Sequence, residues 1–230
     1  MRWNRARFGE SVSQILDPFA VSLETIKARQ PATPGMPPSY SLVDLGPKED
    51  RRYVLLYGED VLVGSARADD VLHFLLWHVN GEAFWQTGEF LIVHAGAVVT
   101  PAGHGVLLPG EAGSGKTTLT AGLVRAGFGY LSDEAGAIDP VTGRLYPYPK
   151  TMDLKGDSFK LFPELRAKNG KLPVVQSRWR VRPDDIRPGA IGGPCELRFV
   201  IAPRFRDGAP TELSPTSRAD AVTELWSSVW

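Results

Sequence analysis

Apolar positions along this chain fall into short strand-length runs and one longer periodic stretch. Residues 41–46 (SLVDLG) and 51–66 (RRYVLLYGEDVLVGSA) read as strands separated by turns, the second run hinged at Gly58-Glu59-Asp60. Asp69 and Asp70 open VLHFLLWHVNGEAFW, where Val71, Leu72, Leu75, Leu76 and Val79 recur at helical spacing behind acids that suit the first turn. This predicts a mostly buried helix, with His73 and His78 as packed residues rather than ligands. Residues 89–99 (EFLIVHAGAVV) form an apolar strand, and a turn at Pro101, Ala102 and Gly103 leads into a second, Val106 to Leu108. Leu119, Leu123 and Val124 then suit one face of a helix that ends at Gly127.

The flanking regions carry weaker patterns. In residues 1–30, Val12, Ile15 and Leu16 suit one face of a short amphipathic helix, and PATPGMPPS, residues 31–39, reads as an extended linker or arm. After the 116–127 helix, FGYLSDEAGAID is a strand ending at Ser132, Asp133 and Glu134, with a turn at Asp139, Pro140 and Gly143 behind it. RLYPYPKTMDLKG has strand character broken by Pro147 and Pro149. Residues 157–173 (DSFKLFPELRAKNGKLP) are polar and predict an exposed or mobile connection. VVQSRWRVRPDD and ELRFVIAPRFRDG supply two more strands, and Ser217 with Asp220 resembles a capping box ahead of AVTELWSSVW, whose apolar positions are Val222, Leu225, Trp226 and Val229.

Composition narrows the class without naming a chemistry. The 230 residues suffice for one substantial domain with a small appendage. Lys plus Arg and Asp plus Glu balance at 26 each, so neither nucleic acid nor an anionic membrane is an expected partner. One cysteine, Cys195, leaves no internal disulfide, and no cluster has zinc-ligand spacing; a reducing cytoplasm fits, with Cys195 a small buried residue. No signal peptide and no spanning segment is read from the pattern.

The chemistry lies in GVLLPGEAGSGKTTLTAGLVRAG, residues 105–127. Gly110, Gly115, Lys116 and Thr117 satisfy G-x-x-x-x-G-K-[ST] between a strand and a helix, the context the motif requires. Residues without side chains let successive backbone N–H groups point at phosphate oxygens, and the helix N-terminus adds its dipole. The expected nucleotide contacts are Gly110, Glu111, Ala112, Gly113, Ser114, Gly115, Lys116, Thr117 and Thr118, with Lys116 on the β- and γ-phosphates and the Thr117 hydroxyl on Mg²⁺. Phosphoryl transfer further needs carboxylates near the loop, and Asp133 and Glu134 close a strand 17 positions after Lys116. One of them could accept a proton from an attacking hydroxyl while the other holds the metal. An LSGGQ-type signature and an NKxD motif are both missing, which removes the ABC-type ATPase and Ras-like GTPase readings.

With these residues in view, IVHAGAVVTPAGHGVLLPGEAGSGKTTLTAGLVRAGFGYLSDE resembles the catalytic core of HPr kinase/phosphorylase and its HPr-kinase-related relatives, which share a fold with PEP carboxykinase. The resemblance is densest over residues 90–155, where YPYPKTMDLK also looks like the related kinases. It implies that His94 is the active-site histidine, Asp133 the general base and Glu134 the second, metal-associated carboxylate. The chain departs from the family in an Asp-Glu rather than Asp-Asp pair, in Ala112 where a Ser is usual, and in lacking the downstream Pro-Gly-Arg-Asn loop. Neither phosphorylase activity nor HPr itself as acceptor is therefore implied.

The expected fold is α/β: a P-loop-containing, HPr-kinase/PEP-carboxykinase-like mixed sheet in residues 89–230, with an N-terminal arm, small β-rich subdomain and helix in residues 1–88. The expected function is an ATP- and Mg²⁺-dependent kinase, an HPr-kinase-like serine kinase, transferring the γ-phosphate to a hydroxyl of a peptide or small protein. A catalytically inactive ATP-binding regulatory protein of the same fold is the alternative, and assembly as a homo-oligomer is left open.

Overall fold

The protein is described from a computed structural model, over residues 2–3, 12–15, 39–46, 52–166, 174–175 and 177–229. Leu16, residues 31–38, residues 167–173 and Trp230, all used in the sequence reading, lie outside that set. Contacts divide the chain into two compact units, residues 1–83 with 173–178, and residues 84–172 with 179–230.

In the first unit, β1 (Arg2–Trp3), β2 (Tyr40–Leu45), β3 (Arg52–Tyr57) and β4 (Asp60–Ser65) form a four-stranded sheet in that order. The β3–β4 turn holds Gly58 at φ 62°. Helix α1 (Ala68–Gln86) turns Val71, Leu72, Leu75 and Leu76 into a core shared with Val12 and Ile15 of the helical residues 12–15, and with Leu42 and Leu55. Its two acids do lie in the first turn, and His78 is a packed residue: its Nδ1 is 2.7 Å from the Tyr40 hydroxyl, and its ring meets Tyr57 and Phe74.

The second unit is built on a mixed α/β sheet that closes on itself. Strand β5 (Leu91–Val99) forms a hairpin with β6 (His104–Pro109), and β7 (Gly129–Ser132), β8 (Ala135–Ile138), β9 (Arg144–Tyr146) and β13 (Cys195–Val200) complete the set. The ring runs β6, β13, β9, β8, β5 and back to β6, a closed five-stranded barrel to which β7 adds along the outer half of β5. Closure depends on β13, which lies parallel to β6 and antiparallel to β9, a long-range pairing that strand patterning does not encode. Val93, Ala95, Ala97, Leu107, Leu131, Leu145 and Cys195 pack together, small beside large, as a narrow barrel interior demands. Val98, Val106 and Leu108 form a separate cluster, with Leu123 of α2 (Lys116–Arg125) packed on it. Apolar contacts on both faces explain why β5 and β6 read as continuous apolar runs rather than alternating ones.

One expectation is overturned. Residues 157–166 are not a loop: α3 (Gly156–Lys160) and α4 (Pro163–Arg166) bury Phe159, Phe162 and Leu165 against Ala121, Val124, Met152 and Leu154. The three apolar positions recur every third residue, so a polar composition hid a single buried helical face. β10 (Met152–Lys155), β12 (Arg178–Val181) and α5 (Pro183–Ile186) complete this side, while β11 (Val174–Val175) belongs to the first unit, where Val175 joins the core. Helix α6 (Arg218–Trp226) starts where Ser217 accepts from the Asp220 amide at 3.1 Å, but Val222 and Trp226 are exposed and none of its residues is buried. No helix among the described residues is long and apolar enough to cross a membrane.

Candidate functional site

β6 delivers the chain to the loop at Pro109, and α2 begins seven residues later. Gly110, Gly113 and Gly115 take φ values of 149°, 90° and 95°, a sequence of left-handed backbone that residues with a Cβ adopt only with strain. Gly115 caps α2 and, having no side chain, offers no acceptor to the first-turn N–H groups of the helix. Ser114 Oγ is buried and has no hydrogen-bond partner among the described residues. The buried Lys116 ammonium folds back onto the loop, donating to Gly110 O and, at 2.9 Å, to Glu111 O. Burial lowers its pKa, an effect that Glu134, Asp133 and Glu111 oppose. An orphaned hydroxyl, a helix start capped by a glycine and an ammonium hydrogen-bonded to loop carbonyls are a donor set of the kind that suits an anion. Glu111 and Ala112 are exposed at the rim of the loop, Thr117 is half-buried in the first turn of α2, and Thr118 Oγ1 lies 2.7 Å from Ser158 Oγ, which ties the helix to α3.

The acid pair sits at the kink between β7 and β8. A register shift in the β5–β7 pairing sets Ala97 against Ser132 and Val98 against Tyr130, so strict alternation fails and Tyr130, Leu131 and Ser132 are all buried. The Tyr130 hydroxyl donates to Asp133 at 3.0 Å and to Lys150 O at 2.9 Å; burial and then Asp133 push its pKa well up. Asp133 is itself buried, its Oδ1 3.0 Å from Lys150 Nζ, while Glu134 Oε2 lies 3.4 Å from the same ammonium. Burial alone would lower the pKa of Lys150, but Asp133 and Glu134 outweigh it and hold the ammonium above its ordinary value.

His94, on β5, connects the pair to the loop. Its Nδ1 lies 3.1 Å from Glu134 O and 3.7 Å from Glu134 Oε1, and the Ala95 amide donates to Glu134 O at 3.1 Å. Burial and the Lys116 charge lower its pKa, only partly countered by Glu134. The loop lysine, the histidine and both carboxylates thus lie within electrostatic reach of one another. No group of three His, Cys, Asp or Glu among the described residues could hold a metal by itself. A cation between Thr117 and Glu134 would need phosphate oxygens to complete its shell, which is how Mg²⁺ is ordinarily held beside a nucleotide.

Three contributors escaped the sequence reading. Lys150 and Tyr130 clamp Asp133, and Glu224 near the end of α6 with Ser227, Ser228 and Val229 just after it line a cavity of about 570 Å³ together with His94, Gly110, Glu111, Ser114, Pro203 and Arg204. The only local signal for Lys150 is a single cation among Pro147, Tyr148 and Pro149; for the segment there is none. Arg180 is buried in a pair with Asp153. Cys195 is buried in the barrel, and its thiol is pushed up by that burial.

No known protein family, curated protein or solved structure matches the chain.

Proposed function

We propose that the protein is an ATP- and Mg²⁺-dependent kinase of the HPr-kinase/PEP-carboxykinase-like type, transferring the γ-phosphate to a hydroxyl, most readily a serine of a peptide or small protein. The observation that carries the reading is the meeting of two independent devices: an anion cradle with an unsatisfied Ser114 hydroxyl, and a carboxylate pair whose charges act directly on the cradle's Lys116. Lys116 and the loop N–H groups position the transferring phosphoryl group and offset its charge, the larger part of catalysis for this reaction class. Thr117 and Glu134 would hold Mg²⁺, which supplies positive charge on the phosphate oxygens. Asp133 takes the acceptor proton. Lys150 and Tyr130 hold that carboxylate in place, and His94 orients Glu134 through the contact at its ring nitrogen.

A second reading has its own observation. Asp133 is buried and already paired with Lys150, which suits a nucleotide-binding protein that does not turn over. Labelled ATP offered with serine-containing peptides separates the two: transfer that Asp133→Ala lowers by about 100-fold or more supports the kinase. Equal transfer by the variant sinks the assigned role. Tight Mg-ATP binding by calorimetry without transfer or hydrolysis favours the second reading.

A further inference from the structure

The cavity beside the loop has a second wall. Gly110, Glu111 and Ser114 form one side, and Glu224, Ser227, Ser228 and Val229 form the other. Main-chain bonds tie this second wall down: the His94 amide donates to Ser228 O at 2.6 Å, and Val229 makes an antiparallel bridge to Val93. Both contacts fall on β5 at the two residues just before Ala95, which stands opposite the last residue of β6, Pro109. Residues 228–229 therefore lie along β5 as an added strand segment does, at the start of the phosphate loop.

The two serines differ in what they offer. Ser228 is buried, its carbonyl is the anchor on His94, and its hydroxyl donates to Glu224 O at 3.1 Å. Ser227 lines the same cavity but is exposed; its amide donates to Thr223 O at 3.0 Å and its hydroxyl to Glu224 O at 2.8 Å. Resting on the kinase reading, we propose that Ser227 is a phosphorylation site of this chain, presented from within the same molecule to the γ-phosphate of ATP bound in the loop. Ser227 Oγ forms a bond to the γ-phosphorus as the bond from that phosphorus to the β,γ-bridging oxygen breaks. ADP leaves, and the hydroxyl proton passes to solvent, to which Ser227 is exposed. The new phosphate arises beside Arg204, which lines the cavity and lies 3.5 Å from Glu224, so a guanidinium is at hand for it.

The test incubates the full chain with Mg-ATP and follows intact mass, with fragmentation to locate the phosphate, while a parallel arm adds serine-containing peptides. Expected is one phosphoryl group on Ser227, at a rate per molecule unchanged by dilution. Ser227→Thr should keep it, whereas Ser227→Ala and Lys116→Ala lose it; Ser227 is exposed, so its variants leave packing intact. Phosphate on another residue, or a rate that falls with dilution, overturns the proposal. Transfer to peptides with none to Ser227 overturns it while leaving the kinase reading standing. Absence of transfer in both arms overturns the two together.

Discussion

Lys150→Met is the sharpest probe of the site, because it removes one charge and little volume. The Lys150 and Asp133 side chains are 8% and 2% exposed, and 3.0 Å separates their charged atoms; Glu134 lies at 3.4 Å. Coulomb's law with an effective dielectric of about 20 gives a gross attraction of about 5 kcal/mol for each pair. Most of that offsets the desolvation of burying the ions, so the net worth of the assembled cluster is small. Deleting one partner is different, since Asp133 then stays buried with the Tyr130 hydroxyl as its remaining side-chain partner among the described residues. The expected loss is about 3–5 kcal/mol of unfolding free energy. Urea denaturation at neutral pH, followed by circular dichroism, measures it. The double variant Lys150→Met/Asp133→Asn should lose less than Lys150→Met alone, because no unpaired carboxylate remains. A loss below about 1 kcal/mol for Lys150→Met, the range of an exposed pair, refutes the reasoning.

Two further outcomes follow from the same geometry. Burial and Lys116 hold the folded pKa of His94 below its usual 6.5, so neutral His94 contributes stability that is present above pH 6.5. That contribution is lost as the pH falls from there through the lower folded value. Thermal melts on both sides of pH 6.5 should show a steeper acid limb for the wild type than for His94→Gln; superimposable profiles would count against the assignment. In Gly96→Ala, the new Cβ would stand 2.5 Å from Thr120 Oγ1, forcing α2 away from β5. Denaturation should then register a loss of about 1–3 kcal/mol, and calorimetry weaker ATP binding, since α2 carries the loop's end; unchanged values on both counts contradict the packing described.

What the sequence disclosed about this molecule was its local content. The turn at Pro101 to Gly103, the two strands around it, the loop and α2 all follow from adjacent residues, because hairpins, glycine turns and helix faces are encoded within a few positions. Asp133 and Glu134 were legible for the same reason, as polar residues terminating an apolar run. Barrel closure through β13, the clamp from Lys150 and the wall from residues 224–229 were not. Each depends on a contact between residues far apart in the chain, and a local pattern such as the β13 strand or the α6 helix does not say what it pairs with. Phe159, Phe162 and Leu165 were obscured differently: their period was present, but Pro163 splits it into two helices too short for a periodic window to register.

Ala95 is the hinge pin between the two halves of the site. On one edge it faces Pro109, where the phosphate loop departs, and on the other its amide holds Glu134 O. The gap between cradle and acid pair is thus a rung count on a ladder rather than the reach of a flexible arm. Side chains and loop composition at the rim are free to drift without altering that gap. A single-residue insertion or deletion in β5 is not: it would turn the His94 position toward the barrel interior and carry the pair out of step with the loop. Length in this one strand therefore constrains the site as strictly as residue identity does at Lys116 or Asp133.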